Sequence, residues 1–233
     1  MFQPVKIAPS ILSADFMNLA KDIALIEEAG AGYVHVDVMD GHFVPNLTIG
    51  VPVLKQLRAA TALPLDVHLM ISNPLEQLPW YLQHKPDMVT VHAEALDGAA
   101  QMKQAIDMIH EAGAKACISL KPKTPTEAIR DVVPLLDMVL IMSVEPGFSG
   151  QSYIQGSDGK VAQVAAMAKE AGVSLLIEVD GGIGTATAPL VAAAGADVLV
   201  CGNAVFAAED PAAALKAVQQ AADEARLQAL AQE

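Results

Sequence analysis

Eight times along the chain a short apolar run of strand length gives way to a longer amphipathic stretch of helical length, with no linker between units. The strand-like runs are Val5–Leu12, Tyr33–Met39, Leu65–Ile71, Met88–Ala93, Lys115–Leu120, Met138–Val144, Leu175–Asp180 and Val198–Gly202. The helical stretches are Leu19–Ala29, Val51–Ala60, Pro74–Gln83, Ala99–Ala112, Thr126–Val133, Lys160–Ala171, Thr187–Ala194 and Ala212–Leu230. Glycines at Gly30, Gly113, Gly172 and Gly195 punctuate their ends. Consecutive parallel strands need a crossover long enough to hold a helix, so this alternation predicts a parallel sheet covered by helices. Eight units close such a sheet into a (β/α)8 TIM barrel, and the pattern assigns residues 1–233 to one barrel domain. An open doubly wound sheet is the structural alternative, but its G-x-G-x-x-G fingerprint after the first strand is absent.

Composition bounds the function. Hydrophobic residues make up 53% of the chain and aromatics only 4%, so the core must be aliphatic. With 14 basic residues against 27 acidic, the formal net charge is −13, which repels a phosphodiester backbone and argues against a nucleic-acid partner. A phosphorylated substrate would have to be met mostly by backbone N–H groups. Cys117 and Cys201 lie inside apolar runs and read as buried reduced thiols. The N-terminus has no signal pattern and no apolar stretch reaches the roughly 18 residues that span a bilayer, so a cytoplasmic protein without a membrane partner is expected.

Several strands carry polar residues where apolar ones are expected. Side chains alternate faces along a strand, so His35, Asp37 and Met39 share one face while Val34, Val36 and Val38 share the other. Asp66, His68 and Met70 repeat the pattern on the third strand, and Glu178 and Asp180 on the seventh; the fourth offers His92 and Glu94. An uncompensated carboxylate inside an apolar barrel costs several kcal/mol, so such groups persist where they bind metal, pair with charge or do chemistry. Two imidazoles and two carboxylates converging on one rim read as a site for one divalent ion, and the donor set suits Zn²⁺, Fe²⁺, Mn²⁺ or Co²⁺ better than Mg²⁺.

A second constellation is rich in glycine: Glu145–Gln151 after the sixth strand, Asp180–Gly184 after the seventh, and Gly202-Asn203-Ala204 after the eighth. Glycines let backbone amides approach an anion, and barrel phosphate sites often form at the last strands. Three such segments at one rim point to phosphate binding.

The runs Ile7–Phe16, Val34–Asn46 (VHVDVMDGHFVPN), Asp66–Met70, Met142–Gln151 and Val179–Ile183 resemble the ribulose-phosphate 3-epimerase family, in order and across nearly the whole chain. The resemblance implies a ribulose-phosphate-binding type of barrel that interconverts D-ribulose 5-phosphate and D-xylulose 5-phosphate at C3. It implies two-base proton transfer through a metal-stabilised enediolate, with a small ketose phosphate as partner and a homo-oligomeric state. It assigns the metal to His35, Asp37, His68 and Asp180, and acid–base catalysis to Asp37 and Asp180. Ser10 and His68 would contact substrate, and the phosphate would meet the segment Gly147, Phe148, Ser149, Gly150 together with Gly181, Gly182, Gly202 and Asn203. Met39, Met70 and Met142 read as an apolar lining that keeps water from the intermediate.

The departures from the family pattern fall on the phosphate side. Glu145 stands where the family has Asn, Ser149 where it has Gly, Asn203 where it has Ser, and the Gly156–Gly159 segment is an unusual helix entry. They keep a six-carbon substrate, allulose 6-phosphate, as the nearest alternative. A phosphosugar lyase or synthase barrel would carry D-x-K-x-x-D on the third strand, where Asp66-Val67-His68 places histidine instead of lysine. A non-catalytic sugar-phosphate binder would not need two carboxylates around a metal.

Overall fold

Runs of Val, Ile and Leu cannot remain in water, and β-branched side chains pack well on a pleated surface covered from outside. The computed structural model describes residues 2–232. Its strands are β1 (Lys6–Pro9), β2 (Val34–Met39), β3 (Leu65–Met70), β4 (Met88–His92), β5 (Lys115–Leu120), β6 (Met138–Met142), β7 (Leu176–Asp180) and β8 (Val198–Cys201). They form one eight-stranded sheet in the order β1-β8-β7-β6-β5-β4-β3-β2, with every ladder parallel. A single parallel bridge between Ser10 and His35 brings the two ends together, so the barrel is nearly closed.

The α-helices outside are α1 (Leu19–Ala29), α2 (Val51–Ala60), α3 (Pro74–Leu82), α4 (Gly98–Glu111), α5 (Ser157–Ala171), α6 (Ala188–Ala193), α7 (Asn203–Phe206) and α8 (Pro211–Leu230). The outward valines Val34, Val36 and Val38 are buried in the main core beneath them. The inward faces make a separate aliphatic cluster that includes Ala8, Met88, Met138, Leu140, Val198 and Val200. Helix α8 buries Leu215, Val218 and Ala222 and ties the start of the chain to its end. The carboxylate of Asp223 accepts from the Val5 amide at 2.7 Å, and the Gln219 amide donates to the Val5 carbonyl at 3.0 Å.

Four local expectations are corrected. Thr126–Val133 is not an α-helix; two 3₁₀ turns, Thr126–Ile129 and Val133–Leu135, take its place. Pro125 and Pro134 bracket the segment, a residue before proline disfavours the helical region, and the eight residues left are too few to sustain a helix alone. Strand β1 ends at Pro9 because Ser10 caps a 3₁₀ turn, Ile11–Ser13, its hydroxyl accepting from the Leu12 amide. Helix α5 begins at Ser157 rather than Lys160, so the glycine-bearing segment 156–159 is largely its first turn. Likewise Ala93 leaves strand geometry for a 3₁₀ turn, Ala93–Ala95, which carries Glu94.

Candidate active site

Because β2 and β3 pair in register, Asp37 faces His68 and His35 faces Asp66 across the ladder. Asp180 ends β7 beside Met142 of β6. The inward face of each strand therefore delivers its polar residue to the barrel axis, and the donor atoms of His35, Asp37, His68 and Asp180 all lie within 4.8 Å of one another. Asp37 Oδ1 is 3.0 Å from His68 Nδ1 and 3.4 Å from His35 Nε2, while Asp180 Oδ2 is 3.9 Å from His68 Nδ1. The other Asp37 oxygen accepts a 2.6 Å hydrogen bond from Ser10 Oγ.

Each imidazole is steered from behind. His35 Nδ1 sits 2.6 Å from Asp66 Oδ2, which accepts its hydrogen. That leaves Nε2 facing Asp37, buried and with no hydrogen-bond partner among the described residues. A buried ring nitrogen without a partner, beside a carboxylate, is an unmet demand for a cation. The residues therefore fit a metal ion, and the four can hold one.

The electrostatics agree. Burial alone would lower the His35 pKa, but the charges of Asp66 and Asp37 outweigh it and raise it well above the usual histidine value. Burial would raise Asp37, yet the charge and hydrogen bond of His35 hold its carboxyl below the ordinary range. Asp180 moves the other way: burial first, then the charge of Asp37, pushes it up to about 6. The two neighbouring carboxylates are thus shifted in opposite directions.

Over this floor opens a cleft of about 400 Å³. Its wall includes Ser10, Asp37, Asp180 and the three methionines Met39, Met70 and Met142, and its outer end is the glycine segments Gly147–Gly150, Gly181–Gly184 and Gly202–Ala204. The Ser149, Gly150, Gly181 and Gly182 amides donate to no backbone carbonyl among the described residues. His35 and His68 are fully buried beneath the wall rather than part of it. The departures Ser149 and Asn203 touch each other: Ser149 Oγ donates to Asn203 Oδ1 at 3.2 Å and lies 2.5 Å from Ser13 Oγ. Glu145 points outward, 54% exposed and 4.0 Å from Lys123 Nζ.

Other residues support the site without having been singled out from the sequence. Asn46 donates to the Gly147 carbonyl at 2.8 Å, tying the β2 loop to the β6 loop. Thr48 donates to the Asp37 carbonyl at 2.6 Å, and Ser143 to the Gly181 carbonyl at 2.6 Å. Hydroxyl and amide side chains in loops are too common for sequence alone to mark these.

A parallel barrel whose strand ends bring two imidazoles and two carboxylates under an open cleft is an enzyme with a site able to hold a metal ion. The model of the ribulose-phosphate 3 epimerase family matches residues 6–206. The ribulose-phosphate 3-epimerase of Mycobacterium bovis is 49% identical over 221 residues, 95% of this chain and 94% of that protein. That of Bacillus subtilis is 47% identical over 216 residues, covering 92% and 98%. The chain belongs to the ribulose-phosphate 3-epimerase family and is an isomerase, an epimerase. Among solved structures, a KGPDC from Streptococcus mutans superposes with a TM-score of 0.72 over 95% of this chain and 99% of that one; at 13% identity it shows the fold alone. Among the described residues no helix is long and apolar enough to cross a membrane.

Proposed function

We propose that this chain inverts C3 of a ketose phosphate, interconverting D-ribulose 5-phosphate and D-xylulose 5-phosphate, with Asp37 and Asp180 as the proton-transferring pair. The observation that carries the reading is that these two carboxylates, from the non-adjacent strands β2 and β7, both line one cleft above two buried imidazoles. In one direction Asp37 takes the C3 proton, leaving a carbanion conjugated with the neighbouring carbonyl, and Asp180 returns a proton to the opposite face. The reverse direction exchanges the roles. Ser10, donating to Asp37, keeps that carboxylate aimed.

His35, Asp37, His68 and Asp180 would hold one divalent ion, with Zn²⁺, Fe²⁺, Mn²⁺ or Co²⁺ fitting the nitrogen and oxygen donors. When bound, the ion supplies Lewis-acid stabilisation of negative charge on the substrate oxygens. Buried below the wall, His68 serves this reading as a ligand rather than a substrate contact. Met39, Met70 and Met142 exclude water from the reacting carbon. The free amides of Ser149, Gly150, Gly181 and Gly182, with Phe148, Gly147, Gly202 and Asn203 around them, take the phosphate. We take residues 1–233 as one catalytic domain of a cytoplasmic homo-oligomer that binds neither nucleic acid nor membrane. The net charge of −13, two buried free thiols and the exposed Met17 and Leu47 support that.

The test is kcat/KM for ribulose 5-phosphate and allulose 6-phosphate at one metal loading, with product recovered from deuterated water. Preference for the pentulose and deuterium at C3 are expected. Preference for the hexulose, or complete retention of the substrate hydrogen, refutes the reading.

A further inference from the structure

His92 and Glu94 lie behind His68 and do not line the catalytic cleft. His92 is fully buried, with its Nε2 2.8 Å from His68 Nε2 and its Nδ1 3.1 Å from Glu94 Oε2. Only one hydrogen fits between two imidazole nitrogens. The Glu94 carboxylate is an acceptor, so His92 carries its hydrogen on Nδ1 and, as a neutral ring, offers a lone pair at Nε2. The shared hydrogen must then sit on His68 Nε2. His68 Nδ1 is left bare, facing Asp37 Oδ1 at 3.0 Å and Asp180 Oδ2 at 3.9 Å.

We propose that Glu94 and His92 are positioning residues that lock His68 in its Nε2–H tautomer, so that Nδ1 is always free to ligate a divalent ion. The inference rests on the reading that His35, Asp37, His68 and Asp180 hold that ion.

The surroundings fix both residues in place. The second Glu94 oxygen accepts from the Lys121 amide at 2.8 Å and from the Thr124 hydroxyl. Lys160, on α5, donates to the carbonyls of Lys121, Pro122 and Thr124 at 2.8, 3.3 and 2.6 Å, holding that loop. The His92 ring stacks on His68 with centroids 5.0 Å apart and packs against Phe43 at 4.7 Å, so neither ring can turn over freely. His35 achieves the same end with one carboxylate, Asp66. For His68 the carboxylate acts through a second imidazole.

The experiment titrates Co²⁺ into the full-length protein and three variants, Glu94→Gln, His92→Leu and His92→Gln. Affinity is read by chelator competition, the visible spectrum of bound Co²⁺ reports its ligands, and ring ¹⁵N shifts of the metal-free protein report the His68 tautomer. His92→Leu removes the acceptor and should weaken Co²⁺ binding about 10–100-fold. His92→Gln restores a carbonyl acceptor and should recover most of that loss. Glu94→Gln can donate to His92 Nδ1, which reverses both rings; it should weaken binding and move the His68 hydrogen towards Nδ1. Should His92→Leu fail to fold, Glu94→Gln, nearly isosteric, decides alone. Variants that bind Co²⁺ like the wild type with unchanged His68 shifts overturn the inference while leaving the metal site standing. A wild type that takes up no Co²⁺ overturns both.

Discussion

Replacing Gly182 by alanine separates what the backbone demands from what the site demands. Gly182 has φ +63°, and a Cβ there would lie 2.3 Å from the Tyr153 nitrogen and 2.8 Å from its Cα. The left-handed conformation costs an L-residue about 1–2 kcal/mol. Tyr153 is met through its backbone, which cannot swing aside as a side-chain tip can, and forced overpacking costs about 1–3 kcal/mol more. The sum is about 2–5 kcal/mol; in a chain of this size each kcal/mol moves Tm by about 2–4 °C, so a fall of roughly 4–20 °C is expected. Gly30 is the control: φ is +93° and nothing lies within 4 Å of its Cβ, so Gly30→Ala carries only the conformational part. If the segment near Tyr153 yields instead, the cleft wall around Gly182 moves with it. KM for the ketose phosphate should then rise more than kcat falls, since the carboxylates sit deeper. The assay is thermal unfolding of both variants beside steady-state kinetics. Gly182→Ala with the Tm of Gly30→Ala and an unchanged KM would refute the packing argument and the placement of phosphate there.

Three further outcomes are expected. Asp37→Asn and Asp180→Asn should each lower turnover by about 10³-fold or more, general acid–base groups being worth about 10²–10⁴; a loss under tenfold would remove that residue from the pair. Chelation should abolish activity and Zn²⁺, Fe²⁺, Mn²⁺ or Co²⁺ restore it, and full turnover by protein that elemental analysis finds metal-free would contradict this. Glu94 is partly buried, which by itself raises its pKa, but the hydrogen bonds from His92, Thr124 and the Lys121 amide bring it down from 4.5 to about 2. Its stabilising contribution is thus complete above pH 4.5 and is lost as pH falls towards 2. In urea unfolding of metal-free protein, the deficit of Glu94→Gln should be larger at pH 7 than at pH 4; an equal deficit would show that the charge contributes nothing.

Much of the fold and of the site is legible in the sequence, for a specific reason. Strand side chains alternate with a period of two, and a barrel turns one face of every strand towards a common axis. Polar residues at every second position of β2, β3 and β7 therefore had to converge, and His35, Asp37, His68 and Asp180 do so. The sequence by itself also determined the parallel sheet, because seven crossovers of helical length between eight strands permit no hairpins, and the family, through runs such as Val34–Asn46. Tertiary structure decided whatever depends on distances between strands. The stagger of β3 against β4 sets His92 one pleat above Thr90, the partner of His68, and puts the two rings in contact, which no spacing in the chain encodes. The collision that reserves position 182 for glycine comes from Tyr153, distant in sequence. In the fifth unit an apolar period was present, but two prolines and short length let packing against α5 replace the helix with 3₁₀ turns. Local periodicity tells which way a side chain faces; only the closed barrel determines what it meets there.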